Sequence, residues 1–158
     1  MTNGSLKITS VDSNDEEDVY LYTYHTAMDI PKWVKNVPAL LAKKKNFISN
    51  KKRAIENVRH DGTISDWFFG TSHLAAGVIS SSPFCLIPMS VKQFKEYEKE
   101  NELGGNDYVL TVNEKNGIWK LTSHATEEEI KDMLDFGEEY KAEETINPIE
   151  LFVNCYPE

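Results

Sequence analysis

The chain has 158 residues, a net charge of −9 and 40% apolar residues, among them seven Phe, seven Tyr and three Trp. That is one domain's worth of sequence with a sizeable core, able to bury roughly 70% of its unfolded surface. The acidity excludes a protein that coats nucleic acid throughout, because phosphate neutralisation dominates such binding.

No apolar run approaches the ~18 residues of a membrane helix, so no membrane partner is expected. Cys85 and Cys155 are too few for a secreted disulfide framework. Residues 1–5 lack a basic stretch followed by an apolar one, so a cytoplasmic setting is expected.

Residues 1–5 read as disordered. Leu6 to Ser10 alternate apolar and polar, as a half-buried strand does. The run from Asp12 to Asp18 is acidic and reads as a loop, and Val19 to His25 is rich in strand formers. These two strands predict a hairpin. Asp29-Ile30-Pro31 opens a helix, since proline is tolerated in a first turn. Trp33, Val34, Val37, Leu40 and Leu41 form its apolar stripe, and Lys43-Lys44-Lys45 its end.

A second helix is predicted after Ser49 or Asn50, with Ala54, Ile55 and Val58 inward, and a short third one from Thr63 to Phe69. Val78-Ile79 and Phe84 to Ile87 read as short strands. Ser90 caps a helix with Val91, Phe94 and Tyr97 inward. Tyr108 to Val112 and Ile118 to Thr122 flank Asn116-Gly117, which supplies the positive dihedrals of a tight hairpin. Thr126 and Glu129 make a capping box for a helix over 127–141, with Ile130, Met133 and Leu134 inward. Residues 142–158 read as a C-terminal extension, with Ile149 to Val153 a last strand or a tail against the body. Without a sustained strand–helix–strand rhythm, the expected fold is α+β: a mostly antiparallel sheet with about four helices in one domain.

Charge is segregated along the chain. Residues 31–60 carry nine Lys or Arg against Glu56, a net +8, while residues 61–158 carry −12. Lys51, Lys52 and Arg53 fall in the first turn of the predicted second helix, where cations are unfavourable unless they help free amides hold an anion. Lys43, Lys44, Lys45, Lys51, Lys52 and Arg53 are therefore anion-binding candidates for a nucleotide or nucleic acid. Converting Lys51, Lys52 and Arg53 together to Glu would then abolish retention on heparin. The same cations also suit a solvated face, or one paired with the acidic segment 127–144 of this chain or of a second copy, as in a homodimer, and this plainer reading is the stronger one.

His25, between a strand and a helix, is the one candidate for catalysis. With Tyr22, Tyr24 and Asp29 nearby it could serve as a general base, although histidines at strand ends also act as ordinary hydrogen-bonded residues. His25, His60, His73, His124 and the two cysteines show no metal-ligand spacing, so no metal and no cofactor are expected.

The segment Val19 to Val37, with Tyr22-Thr23-Tyr24-His25 at its head, resembles the opening of an uncharacterised family of small bacteriophage proteins. That family carries a Y-L-Y-S-H-W strand, an amphipathic helix, a second helix, a Gly-rich stretch and a β-hairpin. Leu74 to Ser80 stands where the Gly-rich stretch would be, and Tyr108 to Thr122 resembles the hairpin. Thr26 replaces the family's Trp and Ala75 its first glycine. Over residues 17–122 the resemblance implies a viral or mobile-element origin and action in host cytoplasm. It implies no catalytic residues. The resulting expectation is a non-enzymatic accessory protein that binds a protein partner through its charge-segregated surface.

Overall fold

The computed structural model describes residues 3–11, 17–43, 70–113, 116–138 and 143–155. Strand β1 (Gly4–Ser10) pairs antiparallel with β2 (Val19–Thr23), Leu6 opposite Leu21. On its other side β1 runs parallel to β4 (Asp107–Val112), with Leu6 beside Tyr108 and Ile8 beside Leu110. β4 then pairs antiparallel with β5 (Trp119–Ser123), and β5 with β6 (Glu143–Ile146). β3 (Ile87–Met89) lies antiparallel on β2, giving a six-stranded order of β3-β2-β1-β4-β5-β6. The chain is a single α+β domain with a mostly antiparallel sheet.

Because side chains alternate along a strand, these registers collect Leu6, Ile8, Leu21, Leu110, Trp119, Leu121 and Ile146 on one face. Among the described residues, three helices cover that face. In α1 (Ile30–Lys43), entered through a 3-10 turn at Ala27–Asp29, the stripe Trp33, Val34 and Val37 is buried. In α2 (Thr71–Ser81), Leu74, Ala75 and Val78 are buried. In α5 (Pro148–Cys155), Phe152 is fully enclosed. The opposite face is covered at β2 by α3 (Val91–Glu100): Phe94 stacks on Tyr20 at 4.3 Å, and Tyr97 meets Tyr22 edge-on at 5.5 Å.

The tertiary structure corrects several expectations. Gly4 and Ser5 are not loose but buried in β1. Gly4 fits there because it lacks a Cβ, which would lie 2.1 Å from the Asn106 carbonyl oxygen. Val78 and Ile79 are helical, in α2, where packing against α1 overrides their strand preference. The strand near Phe84 to Ile87 begins at Ile87, because Ser82 to Cys85 form a turn closed by Cys85 N–H donating to Ser82 O at 2.9 Å. Val91 is 43% exposed rather than inward.

The helix expected over 127–141 is α4 (Glu127–Asp135). It stops at Gly137, whose φ of 76° lets Gly137 N–H bond Leu134 O and Glu138 N–H bond Met133 O. Residues 143–155, within the expected extension, belong to the fold. β6 completes the sheet, and Ile149 to Val153 are helical within α5. The predicted helices between Ser49 and Phe69 lie outside the described residues.

Candidate functional site: an acidic cleft beside α4

The site is built on the tight turn that follows α3. Asp107, buried at the head of β4, accepts hydrogen bonds from Ser5 Oγ (2.7 Å), Tyr97 Oη (2.8 Å) and Gly104 N–H (3.0 Å). One carboxylate thus ties the start of β1, the end of α3 and the turn together. Burial, then the hydrogen bond to Asp107, pushes the Tyr97 phenol well above its ordinary value. Burial also raises Tyr108 and Tyr22, and neighbouring Asp107 raises both further.

The next residue of the turn anchors α4. Thr126 and Glu129 form the expected capping box, with Glu129 N–H donating to Thr126 Oγ1 at 3.2 Å and Thr126 N–H to Glu129 Oε1 at 3.4 Å. The second oxygen, Glu129 Oε2, accepts Gly105 N–H at 2.8 Å. A Cβ on Gly104 or Gly105 would lie 2.6 or 2.7 Å from this carboxylate, so the glycines let it approach the turn. No residue of α4 is fully buried. Its first turn is tied down while its apolar residues stay partly exposed.

Between α4 and the head of α1 lies a cleft of about 610 Å³. Tyr108, Leu121, Ser123 and Glu144 come from the sheet, Met28 and Pro31 from the entry to α1, and Glu129, Asp132 and Met133 from α4. Gly105 and Asn106 complete it. The lining is mostly apolar, with three carboxylates around it. Glu129 is occupied by Gly105 and Thr126, and Glu144 pairs with Lys35 of α1. The Asp132 carboxylate is exposed and makes no ion pair among the described residues. The cleft can therefore neutralise a cation and repels an anion.

The sequence-predicted residues fall elsewhere. His25 is exposed in the bend after β2, its ring 6.2 Å from that of Tyr24, and it does not line the cleft. Asp29 is also exposed. Lys43 is exposed at the end of α1, and Lys44, Lys45, Lys51, Lys52 and Arg53 lie outside the described residues. Lys35, by contrast, is exposed and pairs with Glu144 in the acidic segment of its own chain. Among the described residues no three His, Cys, Asp or Glu gather as metal ligands, and no helix is long and apolar enough to cross a membrane.

Sequence reasoning found Glu129 as a cap but missed Asp132, Glu144, Met28 and Tyr108 as parts of one cleft. The capping box close behind a Gly-Gly pair was the local signal. No protein-family model, no curated protein and no solved structure matches this chain.

Proposed function

We propose that this chain is a binding protein whose acidic surface meets a basic protein partner. The observation that carries the reading is the cleft beside α4, where Asp132 has no ion-pair partner among the described residues and stands over a mostly apolar floor. Charge of one sign in a concave, low-dielectric surface attracts the opposite sign from a distance and speeds encounter. The phage-type resemblance of residues 17–122 points the same way, since small phage proteins of this kind commonly work by binding a host component. Joining of two copies, basic α1 against acidic α4, is the homodimeric form of the same idea.

The test compares capture from lysate by the wild-type chain with capture by a variant carrying Glu127→Gln, Glu128→Gln and Asp132→Asn, at low and high salt. These three positions are exposed. The expected result is a basic protein retained by the wild type at low salt and lost both in the variant and at high salt. Capture indifferent to both changes refutes the reading. Light scattering across the same salt range identifies the homodimer if the captured protein is a second copy.

A further inference from the structure

We infer that the cleft between α4 and the head of α1 seats a lysine or arginine side chain presented by a segment of the partner protein. This rests on the binding-protein reading above and names what that surface recognises. Lysine and arginine join a long apolar stem to a charged head, and the cleft offers both halves of the complement. Leu121, Met28 and Met133 provide apolar wall for a stem. Two of these are thioethers, which adapt their shape to an incoming group. The carboxylates of Asp132 and Glu144 provide the counter-charge for a head.

The three acids differ in readiness. Glu129 already receives the Gly105 amide and the Thr126 hydroxyl, so it forms a fixed wall. Glu144 shares its charge with Lys35. Asp132 is the carboxylate left to meet an incoming guanidinium or ammonium, a charge-assisted bond of the stronger kind.

Other occupants fit less well. A phosphate would be repelled by all three carboxylates. A bare metal ion would find an apolar floor and no convergent set of ligands among the described residues. A purely apolar segment would leave the acids with nothing to neutralise. At about 610 Å³ the cleft falls within the roughly 300–1,000 Å³ of sites that enclose a whole ligand. It therefore has room for the basic side chain and an apolar neighbour. Met28, 73% exposed, marks the mouth.

The methionines make the test direct. The chain has four; Met28 and Met133 line the cleft, whereas Met89 lies in β3 on the far edge of the sheet. The full chain is labelled with ¹³C at the methionine methyls and titrated with the blocked peptide acetyl-Gly-Arg-Leu-Gly-amide. A second titration uses the same peptide with citrulline, which keeps the shape of arginine without its charge. The expected result is that the arginine peptide shifts the Met28 and Met133 methyl signals and leaves Met89 in place, while the citrulline peptide binds about tenfold more weakly. Asp132→Asn should weaken the arginine peptide by a similar factor, with an unmoved Met89 signal certifying the fold.

Equal binding of the two peptides overturns the inference, as do Met28 and Met133 signals that stay still at saturating peptide. If the cleft signals stay still but the captured partner is still lost on neutralising α4, the cleft specificity falls and the binding reading stands. If the methyl shifts occur but capture ignores charge, the cleft specificity stands and the wider reading falls.

Discussion

The hydroxyl of Ser5 donates a 2.7 Å hydrogen bond to the Asp107 carboxylate across 102 residues of sequence. The bond fastens the first strand of the chain to the turn that builds the cleft. The same oxygen accepts the Tyr97 hydroxyl at 2.8 Å, so the geometry of the turn rests on a buried polar knot as well as on apolar packing.

Stability should fall in alkali, and Tyr97 should be one cause. Its pKa is raised above the ordinary 10.0, and those of Tyr22 and Tyr108 are raised as well. The unfolded chain releases these phenolic protons near the ordinary value while the folded chain keeps them. The contribution is therefore complete below pH ~10 and lost as pH climbs above it. Urea midpoints measured from neutrality to pH ~11 should drop. Tyr97→Phe should cost about 1.5–3 kcal/mol at neutral pH, the range for a hydrogen bond to a charged group, and should flatten the alkaline slope. An unchanged slope would remove Tyr97 from the account.

Gly105→Ala should loosen α4 without unfolding the domain. The new methyl would stand 2.7 Å from Glu129 Oε2, and the flexible carboxylate can retreat. Its retreat gives up the 2.8 Å bond from the Gly105 amide. The expected loss is about 1–2 kcal/mol, with a shift of the Met133 methyl signal and no change at Met89. A variant with wild-type stability and an unmoved Met133 would contradict this anchoring.

At the contact of α1 with α2, a Cβ on Gly77 would lie 2.8 Å from Val37 Cγ1. Valine is stiff at χ1 and cannot easily turn away. Gly77→Ala should thus lose about 1–3 kcal/mol to overpacking, more than the roughly 1 kcal/mol gained in helix propensity. In a Val37→Ala background the clash is gone, and the same change should stabilise. A double-mutant cycle by urea denaturation reads the coupling, and additive effects would show that the two side chains do not meet.

Phe152 is fully buried in α5. Phe152→Ala should cost about 3–5 kcal/mol, as truncation of large core aromatics does. A thermal scan that leaves Tm nearly unchanged would mean that α5 is dispensable to the core.

Much of the sheet was legible because its signals are local. Alternation marked Leu6 to Ser10, strand formers marked Val19 to Thr23, and Asn116-Gly117 marked the hairpin, where Gly117 has φ 77°. The Thr126–Glu129 capping box and the Ser90 cap were legible too, and the structure adds Gln93 as the residue that completes a box with Ser90. Val78-Ile79 was misleading for a physical reason. β-branched residues favour strands because they pack well on a pleated, half-buried surface, yet Val78 is fully buried in α2 and its neighbour Gly77 lets α1 come close. The C-terminal residues were misleading too, since Glu143–Ile146 and Pro148–Cys155 read like a linker and a tail until the edge of β5 and the flank of α1 are there to receive them.

The sequence by itself determined the class of fold, the apolar faces of β1 and α1 and the separation of charge along the chain, because all three depend on spacing between near neighbours. Only the tertiary structure decided that β1 lies parallel to β4, that Lys35 answers Glu144, and that Met28, Tyr108, Asp132 and Glu144 surround one space. Periodicity says that a face must be covered but not by what. That choice is made by contacts between residues about a hundred positions apart, and it is there that the cleft arises.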